Sequence, residues 1–184
     1  MKTMIILVAA LCAAPIAAQE LSSPPEQAAG QALMQCVAHS TGQSTISADN
    51  TAALATNGLV YSAQPPAMLE STRQTPYGSA SYAQAPSSEG QVWTVGYDQG
   101  ACLVFVVGTS SKPVEKRLVE LFDIPNAWQK QKAAKPDAGE RKLQYGWKIR
   151  PDFNLTGLVS IRELPEPAKG MVMVTINRTI EEGK

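Results

Sequence analysis

The chain predicts an α+β domain: N-terminal helices packed on a single, mainly antiparallel sheet of about five to six strands, with one further helix between strands. Three observations carry that prediction. Apolar or small residues recur at helical spacing near the start, at Ala29, Leu33, Cys36, Val37 and Ser40. The middle of the chain alternates with the period of a strand in "QVWTVGY" and is then apolar on both faces in "CLVFVVG". Cys36 falls on the early helix and Cys102 opens the apolar strand, so a bridge between them would tie helix to sheet.

The first 18 of the 184 residues read as a cleaved secretory signal. Lys2 supplies a positive start, Met4 to Ala14 is apolar, and Ile16-Ala17-Ala18 places small residues before Gln19. The apolar run falls short of the roughly 20 residues that span a bilayer. Cys12 follows Leu11, where a lipoprotein processing site needs a small residue, so no lipid anchor is expected. Residues 19–184 then form one domain.

"SSPPEQAAGQALMQCVAHS" predicts the first helix, with Ser23 as cap, the Pro24-Pro25 pair in the first turn and Glu26 completing a capping box. His39, the only histidine, lies beside the apolar stripe, where its tip can meet solvent. A short helix follows across Asn50 to Thr56, stopped by Asn57-Gly58. A Pro-, Gly- and Ser-rich connection leads to an edge strand over Ser79 to Gln84. "QVWTVGY" and the central strand "CLVFVVG" form a hairpin across "DQGA". A helix follows with Val114, Leu118, Leu121 and Phe122 on its core face. "NAWQKQKAAKPDAGERK" reads as a helical turn and a loop. Strands over Leu143 to Ile149, Leu155 to Glu163 and Met171 to Arg178 complete the sheet, the last two joined through "LPEPAKG".

Export places the chain in an oxidising compartment, where two cysteines in apolar sequence pair; Cys36–Cys102 is the expected disulfide. A thiol enzyme would instead use Cys36 as nucleophile and His39 as base. Cys36 sits late in its helix, where the dipole disfavours a thiolate, and no third catalytic partner flanks it. Metal binding needs three or four ligands, and one histidine with two cysteines offers no dense spacing. The loop acids Glu70, Glu89, Asp98 and Asp152 carry no pairing motif for a wall-active hydrolase. No cofactor is expected, because neither a P-loop nor a dinucleotide fingerprint appears.

Charge is unevenly distributed. Residues 19–111 carry net −5, residues 112–150 net +5 and residues 151–184 net −1. Within the basic stretch, Lys130, Lys132, Lys135, Arg141, Lys142 and Lys148 are interleaved with Trp128, Tyr145 and Trp147. Such a surface attracts an acidic envelope protein or an anionic envelope polymer. The same pattern also reads as a solvated face above core aromatics. Nucleic acid fits poorly, since the exported chain is near neutral.

The signal and general build resemble those of small exported proteins of Gram-negative bacteria, which implies a periplasmic or secreted location and no particular activity. The expectation is therefore a disulfide-stabilised binding or accessory protein of the cell envelope. An inhibitor or immunity-type protein, and a thiol-dependent or wall-active hydrolase, are the alternatives.

Overall fold

The computed structural model describes residues 22–124, 127–133, 135, 140–147, 154–162 and 170–179. Within these, residues 140, 147, 154–162, 178 and 179 are described by backbone alone. The signal segment 1–18, Lys148 and most of "LPEPAKG" lie outside the described residues.

The fold is α+β, as the sequence predicts. Helix α1 spans Pro25–Ser40, α2 Thr51–Thr56 and α3 Ser111–Phe122. The strands are β1 Val60–Ser62, β2 Gln74–Thr75, β3 Gly78–Ala85, β4 Gln91–Tyr97, β5 Cys102–Val107, β6 Trp128–Gln131, β7 Glu140–Trp147, β8 Asn154–Arg162 and β9 Met171–Thr179. They form one sheet in the order β1-β3-β4-β5-β9-β8-β7-β6, with β2 beside β3, and every pairing is antiparallel. The six strands read from the sequence are β3, β4, β5, β7, β8 and β9. Three short strands are added, and β5 lies well inside the sheet.

Side chains alternate between the two faces of a strand, so the register assigns each residue to a face. Cys102, Val104 and Val106 of β5 are matched by Ile176, Val174 and Val172 of β9 and by Gly96, Thr94 and Val92 of β4. This face packs on α1 and α3 through Ala29, Leu33, Cys36, Val114, Leu118 and Phe122. The opposite face carries Tyr82, Trp93, Val95 and Tyr97, which join Leu69 and Ala101 in a second, smaller core. Leu69 comes from a 3-10 helix over Ala67–Thr72, inside the stretch read as connection. The aromatic stripe of "QVWTVGY" thus faces away from the helices, while Val92 and Thr94 meet them.

Two local expectations are corrected. The first is the capping box. The N-cap of α1 is Pro24, with no side-chain cap bond, and Ser23 is committed elsewhere. Its backbone bridges to Ser87: Ser23 N–H donates to Pro86 O at 3.2 Å, and Ser88 N–H to Ser23 O at 2.9 Å. Pro25 opens the helix and has no N–H to satisfy, so the missing cap costs little. The second is the segment after α3, read as a helical turn. Residues Trp128–Gln131 are instead a strand, because Trp128, Gln129, Lys130 and Gln131 pair with Trp147, Gly146, Tyr145 and Gln144.

The exit of α2 follows its expected chemistry. Asn57 caps the helix, and Gly58 then takes a φ of 74°, a left-handed conformation that glycine adopts without a Cβ penalty.

Candidate functional site

Cys36 and Cys102 form a disulfide with their Cα atoms 5.4 Å apart, and both residues are fully buried. The helix register turns Cys36 toward the sheet, and the strand register turns Cys102 toward α1. With its sulfur bonded, Cys36 has no thiolate to attack a substrate. The thiol-hydrolase alternative loses its nucleophile on that observation.

His39, three residues on, serves a separate purpose. Its Nδ1 accepts from the Ile46 N–H at 3.3 Å, and its Nε2 lies 3.0 Å from the Tyr97 carbonyl oxygen. A backbone N–H only donates and a carbonyl only accepts, so the ring is neutral with its proton on Nε2. The imidazole therefore pins the end of α1 and the loop after it to the β4–β5 turn. Gly96 makes room for it: a Cβ there would stand 2.9 Å from the ring's Cε1 and Nε2 atoms and 3.0 Å from Ile46 Cδ1.

The ring borders an open cleft of about 620 Å³, lined by Gly42, Thr45, Tyr97, Asp98, Gln99 and Gly100. Asp98 Oδ2 accepts from the Ser79 N–H at 3.1 Å, which leaves it anchored to β3. Neither nitrogen of His39 is available as a base in this arrangement. Burial holds the imidazole pKa below its ordinary value of 6.5, opposed by the Tyr97 carbonyl and the Asp98 charge.

That depression has a definite consequence for stability. The unfolded chain takes up a proton on His39 near pH 6.5 while the folded chain does not. The His39 contribution is therefore fully present above about pH 6.5 and is lost as pH falls from there to the folded value. Urea unfolding of wild type and His39→Asn across pH 5 to 8 checks this. The difference between the two curves is flat at the alkaline end and shrinks toward the acid end.

The basic stretch divides once it is folded. Tyr145 is buried and stacks on Phe122 at 4.8 Å with an interplanar angle of 11°, and burial pushes its hydroxyl pKa up. Trp128 meets the same Phe122 edge-on at 4.9 Å. Both aromatics serve the helix-facing core. Arg141 forms an ion pair with Glu115 of α3 at 2.8 Å, and Lys142 is half-buried on the other face of β7. Trp147 is placed by its backbone pairing with Trp128. Lys130, Lys132 and Lys135 remain exposed, along or just beyond β6, and form no ion pair among the described residues.

Sequence reasoning missed the edge position of these lysines. "WQKQK" has no apolar alternation, so the sequence carries no signal for a strand there. Among the described residues, no three His, Cys, Asp or Glu side chains converge as a metal site. No helix among them is long and apolar enough to cross a membrane.

The fold and these residues define an α+β domain with a disulfide sealed in its core and a lysine-bearing sheet edge. No protein-family model matches the chain, and neither a curated protein nor a solved structure was found to match it.

Proposed function

We propose that this chain is an exported, periplasmic binding or accessory protein of the cell envelope. Its scaffold is held by the Cys36–Cys102 disulfide, and it engages an acidic envelope protein or an anionic envelope polymer through Lys130, Lys132 and Lys135. The observation that carries the reading is the exposed positive charge at the β6 edge, which no acidic side chain among the described residues pairs, while the neighbouring Arg141 is paired with Glu115. Three exposed lysines within six residues steer and hold a polyanion without any catalytic group. The buried disulfide suits an oxidising compartment. The signal-like residues 1–18 supply the route there.

The test is binding of the purified domain to isolated envelope material at graded ionic strength. Reversing all three charges, with Lys130→Glu, Lys132→Glu and Lys135→Glu, weakens binding by at least about tenfold at low salt. Raising the salt of the wild-type protein has the same direction of effect, since exposed charges are screened. Binding unchanged in both arms removes the lysine edge from the function.

A further inference from the structure

We propose that β6 is a strand-addition edge that accepts an extended acidic segment of a partner, with aspartate or glutamate at alternate positions, as the next strand of the sheet. This rests on the basic-edge reading above and adds backbone pairing to it.

β6 is the last strand in the sheet order and, among the described residues, pairs only with β7. In an antiparallel pair every second residue turns its N–H and C=O toward the neighbour, and the others turn theirs outward. Alternate residues of Gln129–Gln131 therefore turn their backbone groups away from β7. The side chains of Gln129, Lys130 and Gln131 are exposed alongside them. The register runs from the Trp128–Trp147 pair to the Gln131–Gln144 pair without a bulge, and the strand contains no proline. Two of the usual devices that spoil a free edge are thus missing. Two others, short length and lysine, are present.

Lysine on an edge decides which strand can dock. A second copy of this chain, bringing its own β6, would set Lys130 and Lys132 against like charges, which disfavours pairing between copies. The opposite edge, β1, offers Val60, Tyr61 and Ser62 and no charge, so it has nothing to match the lysines. An acidic strand turns the same residues from a barrier into a contact. Lys130 lies within β6 and Lys132 one residue past its end, so an extended continuation of the strand sets the two about 6.6–6.8 Å apart, the spacing of alternate carboxylates on a neighbouring strand. Backbone pairing then supplies affinity, and the lysines supply the choice of partner.

The probe is a capped synthetic peptide of about eight residues alternating glutamate and threonine, long enough to cover one strand. Binding to the full chain is read by calorimetry beside two half-N-methylated forms. One form carries methyl groups on the odd-numbered amides and the other on the even-numbered amides. All three peptides have the same charge. Strand addition uses only one set of amides, so one methylated peptide binds like the parent and the other binds more than about tenfold more weakly. Lys130→Glu with Lys132→Glu weakens the parent peptide as well, in a variant whose melting temperature confirms that it folds.

Equal, salt-sensitive binding of all three peptides overturns strand addition and leaves the basic-edge reading standing. No binding of the parent peptide also overturns strand addition. The envelope-binding experiment then decides the basic-edge reading on its own.

Discussion

Replacing Cys36 and Cys102 together by alanine lowers the unfolding free energy by about 4 kcal/mol. The pair is 66 positions apart, and closing so long a loop removes much of the freedom of the unfolded chain. Nothing polar is introduced, because alanine leaves no hydroxyl in a site where both cysteines are fully buried. Urea unfolding also shows a larger m-value for the double variant, since its denatured state exposes more surface once the crosslink is gone. The single change Cys102→Ser is worse than Cys102→Ala, because it buries a hydroxyl on the helix-facing side of β5. A double variant as stable as the parent, with an unchanged m-value, would mean that the crosslink holds nothing together.

Phe122→Ala costs about 3–5 kcal/mol, the range for truncating a large buried aromatic. Phe122 is the last residue of α3 and is 1% exposed. It touches Tyr145 of β7 and Trp128 of β6 at once, so its ring fastens the β6–β7 hairpin to the helical layer. Global stability therefore falls, and the loss is felt first in that hairpin. Hydrogen exchange of the Trp128–Gln131 and β7 amides accelerates more than exchange in β4 and β5, whose helix-facing residues rest on α1. Phe122→Leu keeps an apolar side chain but loses both ring contacts, and it lies between the parent and the alanine variant. Uniform acceleration across the sheet would show that Phe122 contributes bulk to the core without anchoring the edge.

The large elements were legible because each carries its own periodicity. The spacing of Ala29, Leu33 and Cys36 marked α1, and Val114, Leu118 and Phe122 marked α3. Alternation in "QVWTVGY" and the apolar run after it marked β4 and β5. The disulfide followed from compartment and placement together. β6 was opaque, since "WQKQ" has no apolar pattern and becomes a strand only because β7 lies beside it. The capping box at Ser23 misled for a related reason: a backbone bridge to Ser87, distant in sequence, overrode a local preference.

The role of His39 was hidden because both partners, the Ile46 N–H and the Tyr97 carbonyl, are backbone groups that every residue type provides. Gly96 is a trace of that packing, a gap in an otherwise side-chain-rich strand. Of the nine basic and aromatic residues first grouped by sequence, Trp128 and Tyr145 are drawn into the core and Arg141 is paired. Proximity along the chain brought them together; the sheet register separated them.

The proposed export of the chain and the closing of its scaffold by one internal disulfide are tested together by mass spectrometry. The full-length chain is produced in a Gram-negative host, recovered without reductant, and analysed intact and after non-reducing digestion. The expected result is a chain that begins at Gln19, no thiol that alkylates even after unfolding, and a single linked peptide joining Cys36 to Cys102. Three alkylatable thiols, at Cys12, Cys36 and Cys102, in a chain that still carries residues 1–18 would contradict it.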